Sequence, residues 1–598
     1  MPALTRRCCD SRPATRWIML TTVAAREFTG GAFPQLVYEW IMHRLLLLIG
    51  CLFSSSVTVI AEQPNVLLIC VDDLKPTLGC YGDAHAVTPN IDRLARRGVL
   101  FRSAYCNQAV CSPSRNSLIT GLRPQTLGIY DLPTNFRIAA PHVTTLPQHF
   151  VNHGYEAQGL GKILHVGHGN TDDAKSWSVP FWRPKAPSYV LEESLAGLKK
   201  DKSGKVRGPA TEAAAVSDET YSDGKIAREA VARLTVASQT PAKPFFIAVG
   251  FLKPHLPFVA PQQYWDLHDP QTLPMPTLHQ PPKDAPSYAP TSYGELRNYA
   301  DMFGRDANEQ ATTRHLIHGY YAATSYMDAQ VGKVLDAVDD LGLAENTIIV
   351  FWGDHGWHLG DHGMWCKHTN YEQAARIPVI VVAPGAVQAA STPAMIETVD
   401  IFPTLCELAG IDAPDEGDGV SFSQVLDDPE SDARPYVTHV YPRGKRLGRA
   451  IRDPRYRMVE WKNFSEPSAA SEQAEVEYEL YDYVADPQET QNLAAQRPEI
   501  LASMQAELAK QAVPKPQVKA PAKAAAKKAG KATEKDRKPF DRDAAFKKRD
   551  SNHDGYLTLT EFLSPQPNDE AAAKRFPKFD KNEDGKLSAE EYVRNGNE

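Results

Sequence analysis

Four stretches of the chain are apolar at almost every position: Asn65–Val71, Pro244–Phe251, Thr347–Trp352 and Ile377–Val382. A half-exposed strand alternates apolar and polar residues, whereas one without alternation is covered on both faces, as in the interior of a parallel sheet. Helical spacing fills the intervals, as in Ile91–Arg96 and from Leu316 to Leu341. Strands alternating with helices predict an α/β fold with a large, mainly parallel sheet sandwiched by helices. From about Tyr436 to Leu493 the pattern changes to short strands and turns, including Tyr456–Trp461, which predicts a small antiparallel C-terminal subdomain. Residues 511–538 are a Lys/Ala/Pro tract almost without large apolar side chains. Such a tract has no core to bury and reads as a solvated, extended linker, a spacer first and a basic tether for an anionic polymer second.

Near the start, Leu45–Ile49 and Val57–Ala61 follow Met42-His43-Arg44, with small residues at Val59 and Ala61. A positive start, a short apolar core and a small-residue cut site predict a secretory signal peptide over residues 42–61. Ser54-Ser55-Ser56 interrupts the run before the roughly 20 residues that a membrane anchor needs. Leu48-Ile49-Gly50-Cys51 also resembles a lipoprotein box, a secondary reading. Residues 1–41 carry no targeting pattern and read as an upstream extension. The mature protein is expected to be secreted or periplasmic, without a transmembrane span.

Composition excludes several classes. With 598 residues and 42% hydrophobic content, the chain can build a large core and more than one unit. Acidic residues (73) outnumber Lys plus Arg (65), which argues against a nucleic-acid partner. Nine cysteines are too sparse for a disulfide scaffold, and Cys70, inside an apolar strand, reads as a core residue.

Acidic residues of the C-terminal tail fall at a fixed spacing. Asp550, Asn552, Asp554 and Glu561 supply oxygens at loop positions 1, 3, 5 and 12, with Gly555 at position 6 and the Tyr556 carbonyl at 7. Asp580, Asn582, Asp584, Lys586 and Glu591 repeat the pattern around Gly585. Two twelve-residue loops in register predict a helical EF-hand pair over residues 541–598, each loop holding Ca²⁺, as a structural or docking module.

Two apolar strands end in ligand chemistry: Asp72-Asp73 after the first, and Asp354-His355 after the third. Ligands of open α/β sheets bind beyond the carboxyl ends of strands, and three carboxylates with an imidazole there suit a hard divalent cation. Between them lies Cys111-Ser112-Pro113-Ser114-Arg115, followed by Leu118-Ile119-Thr120-Gly121. This segment resembles the C-x-P-S-R and L-x-T-G signature of the type I, formylglycine-dependent sulfatases. The resemblance runs from about residue 63 to 495, and within that family it is to the iduronate-2-sulfatase branch. Val71–Pro76, Leu78–Asp83, Asn107–Cys111, Gly161–His165, Lys253–Phe258, Gly353–Trp357, Glu479–Asp482 and Asp486-Pro487 carry it.

The resemblance implies an alkaline-phosphatase-like sulfatase fold, with the catalytic domain at 62–434, its small C-terminal subdomain at 435–510 and the linker at 511–540. It implies that a sulfatase-maturing enzyme oxidises Cys111 to formylglycine, whose hydrate attacks sulfur and whose second hydroxyl expels sulfate. Asp72, Asp73, Asp354 and His355, with an oxygen of modified Cys111, would hold Ca²⁺. Arg115 would orient the hydrate; Lys162, His255 and Lys367 would bind sulfate. His165 would accept the hydrate's proton, and either His255 or Lys367 would protonate the departing alcohol. The implied substrate is an O-sulfated carbohydrate.

Three features depart from the family pattern. Val166 stands where the branch commonly has proline, the loops around 170–210 and 260–310 carry none of the matched segments, and the EF-hand tail is additional. Two other functions stay open on the residues alone: a phosphomonoester or phosphonate hydrolase on the same scaffold, and an inactive, calcium-dependent binding protein.

Overall fold

The computed structural model describes residues 63–598, apart from residues 166, 168–169, 202–203, 293, 465–475, 520–541, 564–575, 581, 583 and 595–598. The leader, Val166 and most of the basic linker therefore lie outside the described residues. All four unalternating stretches are strands of one seven-stranded sheet. In chain order its strands are β1 (Asn65–Asp72), β2 (Val99–Tyr105), β3 (Glu156–Gly161), β4 (Phe245–Pro254), β5 (Thr347–Gly353), β6 (Arg376–Val382) and β7 (Ala390–Glu397). Their spatial order is β7-β2-β6-β5-β1-β4-β3.

Consecutive residues of β1 point to opposite faces and are buried on both. Val66, Leu68 and Cys70 pack with α2 (Cys111–Thr120), α3 (Leu146–Asn152) and α6 (Ile401–Leu408). Leu67, Ile69 and Val71 pack with α1 (Pro89–Ala95), α4 (Ser222–Ser238) and α5 (Gln310–Asp340). Burial pushes the Cys70 thiol up to about 12, as expected of a core residue. The sheet is mainly parallel. The exception is β6, which runs antiparallel to both β5 and β2. A continuous apolar run reports burial on both faces but not strand direction, so Ile377–Val382 reads like its parallel neighbours.

A four-stranded antiparallel sheet follows: β8 (Val437–Arg443), β9 (Arg446–Arg452), β10 (Tyr456–Asn463) and β11 (Glu477–Asp482), with α7 (Pro498–Ala509) after it. The start of the predicted free linker is instead tied to the body. The Lys515 and Val518 amides donate to the Gln125 and Gly128 carbonyls at 2.9 and 2.7 Å. The Tyr130 hydroxyl donates to the Lys515 carbonyl at 2.8 Å. On the tract's side these bonds use the backbone of Lys515 and Val518, so a composition-based reading has no access to them.

The EF-hand pair is built locally. Leu557 faces Leu587 across a short antiparallel bridge, over a cluster of Phe546, Phe562, Phe576 and Tyr592. Gly555 and Gly585 adopt φ of 85° and 78°, the left-handed turn that the sixth loop position requires.

Candidate active site

Parallel register decides which side chains meet. Val71 of β1 lies level with Gly353 of β5, and Asp72 level with Pro254 of β4. The strands therefore release Asp72-Asp73, His255 and Asp354-His355 at one edge of the sheet. Farther along, Gly161 of β3 pairs with Gly250 of β4, and the Lys162 amide donates to the Gly250 carbonyl at 2.8 Å. A Cβ on Gly161 would sit 2.0 Å from that carbonyl oxygen, so only glycine lets the chain turn Lys162 into the same space. Cys111 enters from the first turn of α2.

Arg115, fully buried, is the hub. Its Nε donates to Asp354 Oδ2 at 3.0 Å and its Nη2 to Asp72 Oδ1 at 3.1 Å, while Nη1 donates to the Lys162 carbonyl. Its guanidinium lies 5.8 Å from the Trp352 ring centroid. The Ser114 hydroxyl donates to the Asp354 carbonyl at 2.5 Å. Asp73 adopts φ 58°, a conformation uncommon for a non-glycine residue and often concentrated at functional sites. Asp354 Oδ1 accepts from the Asp73 amide at 2.9 Å, and the Tyr320 hydroxyl donates to the Asp73 carbonyl at 2.9 Å.

The Cys111 sulfur lies 3.3 Å from His355 Nε2, 3.9 Å from Lys162 Nζ and 4.0 Å from Asp73 Oδ1. Lys162 pairs with Asp72, and Lys367 Nζ sits 2.8 Å from Asp73 Oδ1. His255 Nε2 lies 3.8 Å from Asp73 Oδ2. Burial pushes the Cys111 thiol up, which disfavours the thiolate of an unmodified cysteine. Burial also pushes Asp72 up, but Lys162, His255 and Arg115 outweigh it and hold the carboxyl well below its usual range. Lys367 is pulled down by burial and raised further by Asp73, so it stays an ammonium.

Of the residues expected from sequence, Asp72, Asp73, Cys111, Arg115, Lys162, His255, Asp354, His355 and Lys367 converge in this cluster. His165 is buried at the end of the segment carrying Lys162. Asp354 Oδ2 pairs with Arg115, while its Oδ1 accepts from the Asp73 amide and lies 3.6 Å from His355 Nε2, facing the same space. The ligand atoms of Asp72, Asp73, Cys111 and His355 all lie within 4.8 Å of one another. That set holds two carboxylate oxygens, an imidazole nitrogen and one soft sulfur; an oxygen in place of the sulfur would give the oxygen majority that Ca²⁺ favours. Ser114, Tyr320 and Glu295 escaped the sequence reading. Ser114 stands inside the signature, but Glu295 lies in an irregular segment outside the quoted motifs.

In the tail, Asp550 accepts from the Asp554 and Gly555 amides at 3.2 and 3.0 Å, and Asp580 repeats this with Asp584 and Gly585. Glu561 and Glu591 each accept from an amide within their own loop. Asn552 and Asn582 accept from the Asp554 and Asp584 amides in the same way, so the oxygen-bearing side chains face inward in both loops.

The Sulfatase family model matches residues 64–411. The chain belongs to the sulfatase family. It is a sulfuric ester hydrolase of the iduronate-2-sulfatase-like branch. A model of the N-sulphoglucosamine sulphohydrolase C-terminal region matches 360–514, and an EF-hand model matches 573–594. The enzyme is 35% identical to iduronate 2-sulfatase of Mus musculus over 420 residues, covering 64% of this chain and 75% of that protein. It is 30% identical over 471 residues to a sulfatase of Formosa agariphila, covering 75% and 88% respectively. A solved phosphonate monoester hydrolase from Silicibacter pomeroyi shares the fold, with a TM-score of 0.61 and 22% identity over 75% of this chain and 95% of that one. Among the described residues, no helix is long and apolar enough to cross a membrane.

Proposed function

We propose that this sulfatase is an exported, calcium-dependent enzyme that removes O-sulfate from a sulfated carbohydrate, with formylglycine at position 111. The observation carrying the reading is the buried Cys111 sulfur, set among His355, Lys162 and Asp73 where burial suppresses its thiolate. An inert thiol makes a poor nucleophile there, and an oxygen in its place would complete a hard donor set. Ca²⁺, held by Asp72, Asp73, Asp354 and His355, would supply positive charge against the sulfate oxygens. The modified residue would supply the attacking oxygen.

The chain's own groups do the rest. Arg115, clamped between Asp72 and Asp354, orients the residue at 111 and balances the buried carboxylates. Lys162 and Lys367 offer N–H donors to charge building on sulfate as the S–O bond lengthens. His165 accepts the proton from position 111 in the step that releases sulfate, and His255 or Lys367 protonates the leaving alcohol. The relatives named for iduronate 2-sulfate chemistry support a 2-O-sulfated uronic acid as the substrate class. Export from a signal peptide at 42–61 fits a polymeric, extracellular substrate. In this layout the catalytic domain spans 62–434, its subdomain 435–510, and the EF-hand pair is an appended calcium module.

Peptide mass spectrometry across residues 103–123 of the exported enzyme tests the central step. The expected mass reflects loss of sulfur and gain of an aldehyde at Cys111. Fully active enzyme carrying only an alkylatable thiol there overturns the mechanism.

A further inference from the structure

Glu295 lies between β4 and α5, in a stretch without strand or long-helix pattern. Leu296 and Tyr299, both buried, pack the segment into a cluster with Trp357, Trp365 and Cys366. The Ala300 amide donates to the Gly208 carbonyl at 2.8 Å, which fixes the far end. The Glu295 side chain is 23% exposed, at the mouth of the site. One carboxylate oxygen lies 3.2 Å from His255 Nε2, and the other lies 3.1 Å from Lys367 Nζ.

Those two nitrogens also face Asp73, so His255 and Lys367 are each held between two carboxylates. The backbone under Lys367 is unusual: Cys366 and His368 on either side adopt φ of 73° and 76°. Neither residue is glycine, so the local chain by itself disfavours this turn, and outside contacts must hold it. Asp73, His255 and Glu295 also lie close enough to suggest a cation site. The Lys367 ammonium, however, already bridges Asp73 and Glu295, in the place where a second cation would have to sit.

We infer that Glu295 is a positioning residue: it braces Lys367 and His255 so that one of them meets the leaving oxygen. The inference rests on the sulfatase reading above and deepens it. As the sulfur–oxygen bond to the alcohol breaks, its electron pair stays on the alcohol oxygen, which takes a proton from Lys367 Nζ or His255 Nε2. A sugar alkoxide is a poor leaving group and needs that proton, whereas 4-nitrophenolate departs without it. A carboxylate beside the pocket also opposes binding of sulfate itself.

The test compares Glu295→Gln with the wild type on a 2-O-sulfated uronate disaccharide and on 4-nitrophenyl sulfate. The expected result is a fall in kcat/KM of about 30- to 100-fold on the sugar ester and less than about threefold on the aryl ester. Inorganic sulfate should inhibit the variant several-fold more tightly, a change that general loosening of the site would not produce. Glu295→Asp, which keeps the charge, should recover part of the sugar-ester loss. Equal losses on both esters, or no loss on either, overturn the inference while leaving the sulfatase reading intact. A wild-type enzyme that hydrolyses the aryl ester but not the disaccharide sinks the proposed substrate class, and Glu295→Gln is then read on the sugar sulfates that it does cleave. A wild type that hydrolyses neither ester sinks the hydrolase reading, and the inference with it.

Discussion

The active site and the EF-hand tail both gather carboxylates around a place for a cation, but they build it in opposite ways. Each EF-hand loop draws its oxygens from twelve consecutive residues, and backbone amides of the same loop orient them. The active site joins Asp73 to Asp354, 281 residues apart, and depends on the register of parallel strands. It also carries its own counter-charges, with Arg115, Lys162 and Lys367 paired to its carboxylates inside the buried site. Losing a local site costs stability only in the small module that carries it. A non-local one is part of the fold's electrostatic balance, and removing a charged member disturbs both chemistry and stability.

The largest expected effect separates chemistry from folding. Cys111→Ala should lower sulfate release by about four orders of magnitude or more, with thermal unfolding nearly unchanged. Near-normal turnover by that variant removes the nucleophile from the account. Arg115→Met should strike both properties: activity falls by about a thousandfold, and unfolding in urea reveals a loss of roughly 3–5 kcal/mol. Buried Asp72 and Asp354 are then left uncompensated. If stability is untouched, the site is less integral to the fold than the comparison holds.

A pH effect reaches the active-site flank. His439 of β8 donates from Nε2 to the Asn370 carbonyl at 3.0 Å, three residues beyond Lys367. Burial, with Arg457 nearby, pushes its imidazole from 6.5 down to about 3. The unfolded chain therefore binds more protons than the native one between those values. Its stabilising contribution is present above pH 6.5 and lost as pH falls toward 3. His439→Gln should flatten the slope of stability against pH across that window, measured by thermal melts; an unchanged slope assigns the titration elsewhere.

Truncation sharpens the boundary between the two regions. Ending the chain at residue 519 should leave melting and aryl sulfate hydrolysis almost unaltered. Ending it at residue 510 removes the strap on Gln125, Gly128 and Tyr130 and should cost about 1–3 kcal/mol. The smallest effect belongs to the tail. Asp550→Ala with Asp580→Ala should abolish calcium-dependent stabilisation of the EF-hand pair and change aryl sulfate hydrolysis less than about twofold. A large loss of activity would show the tail to be integral to catalysis.

Legibility in the sequence followed the same division. Both EF-hand loops were readable because their ligands have fixed spacing within one short segment. The four unalternating strands were readable because burial on two faces leaves a compositional mark. The direction of β6 was not, since apolar character is the same in either direction. The strap at 515–518 was hidden for a related reason: its main hydrogen bonds come from the backbone, which is common to all sequences. Glu295 left no signal, because its partners, His255 and Lys367, come from other loops.

The order of residues already specified the chemical parts: the cysteine signature, the strand-end carboxylates, the EF-hand loops and the apolar strands that enclose a sheet. Tertiary structure alone decided which of those parts meet. Parallel register aligned the ends of β1, β4 and β5, and the Gly161–Gly250 contact turned Lys162 inward. The packing of Leu296 and Tyr299 carried an otherwise unmarked carboxylate to the mouth of the site. The physical reason is range: local preferences act over a few residues, whereas the electrostatics of this site are set by groups hundreds of residues apart in one buried volume.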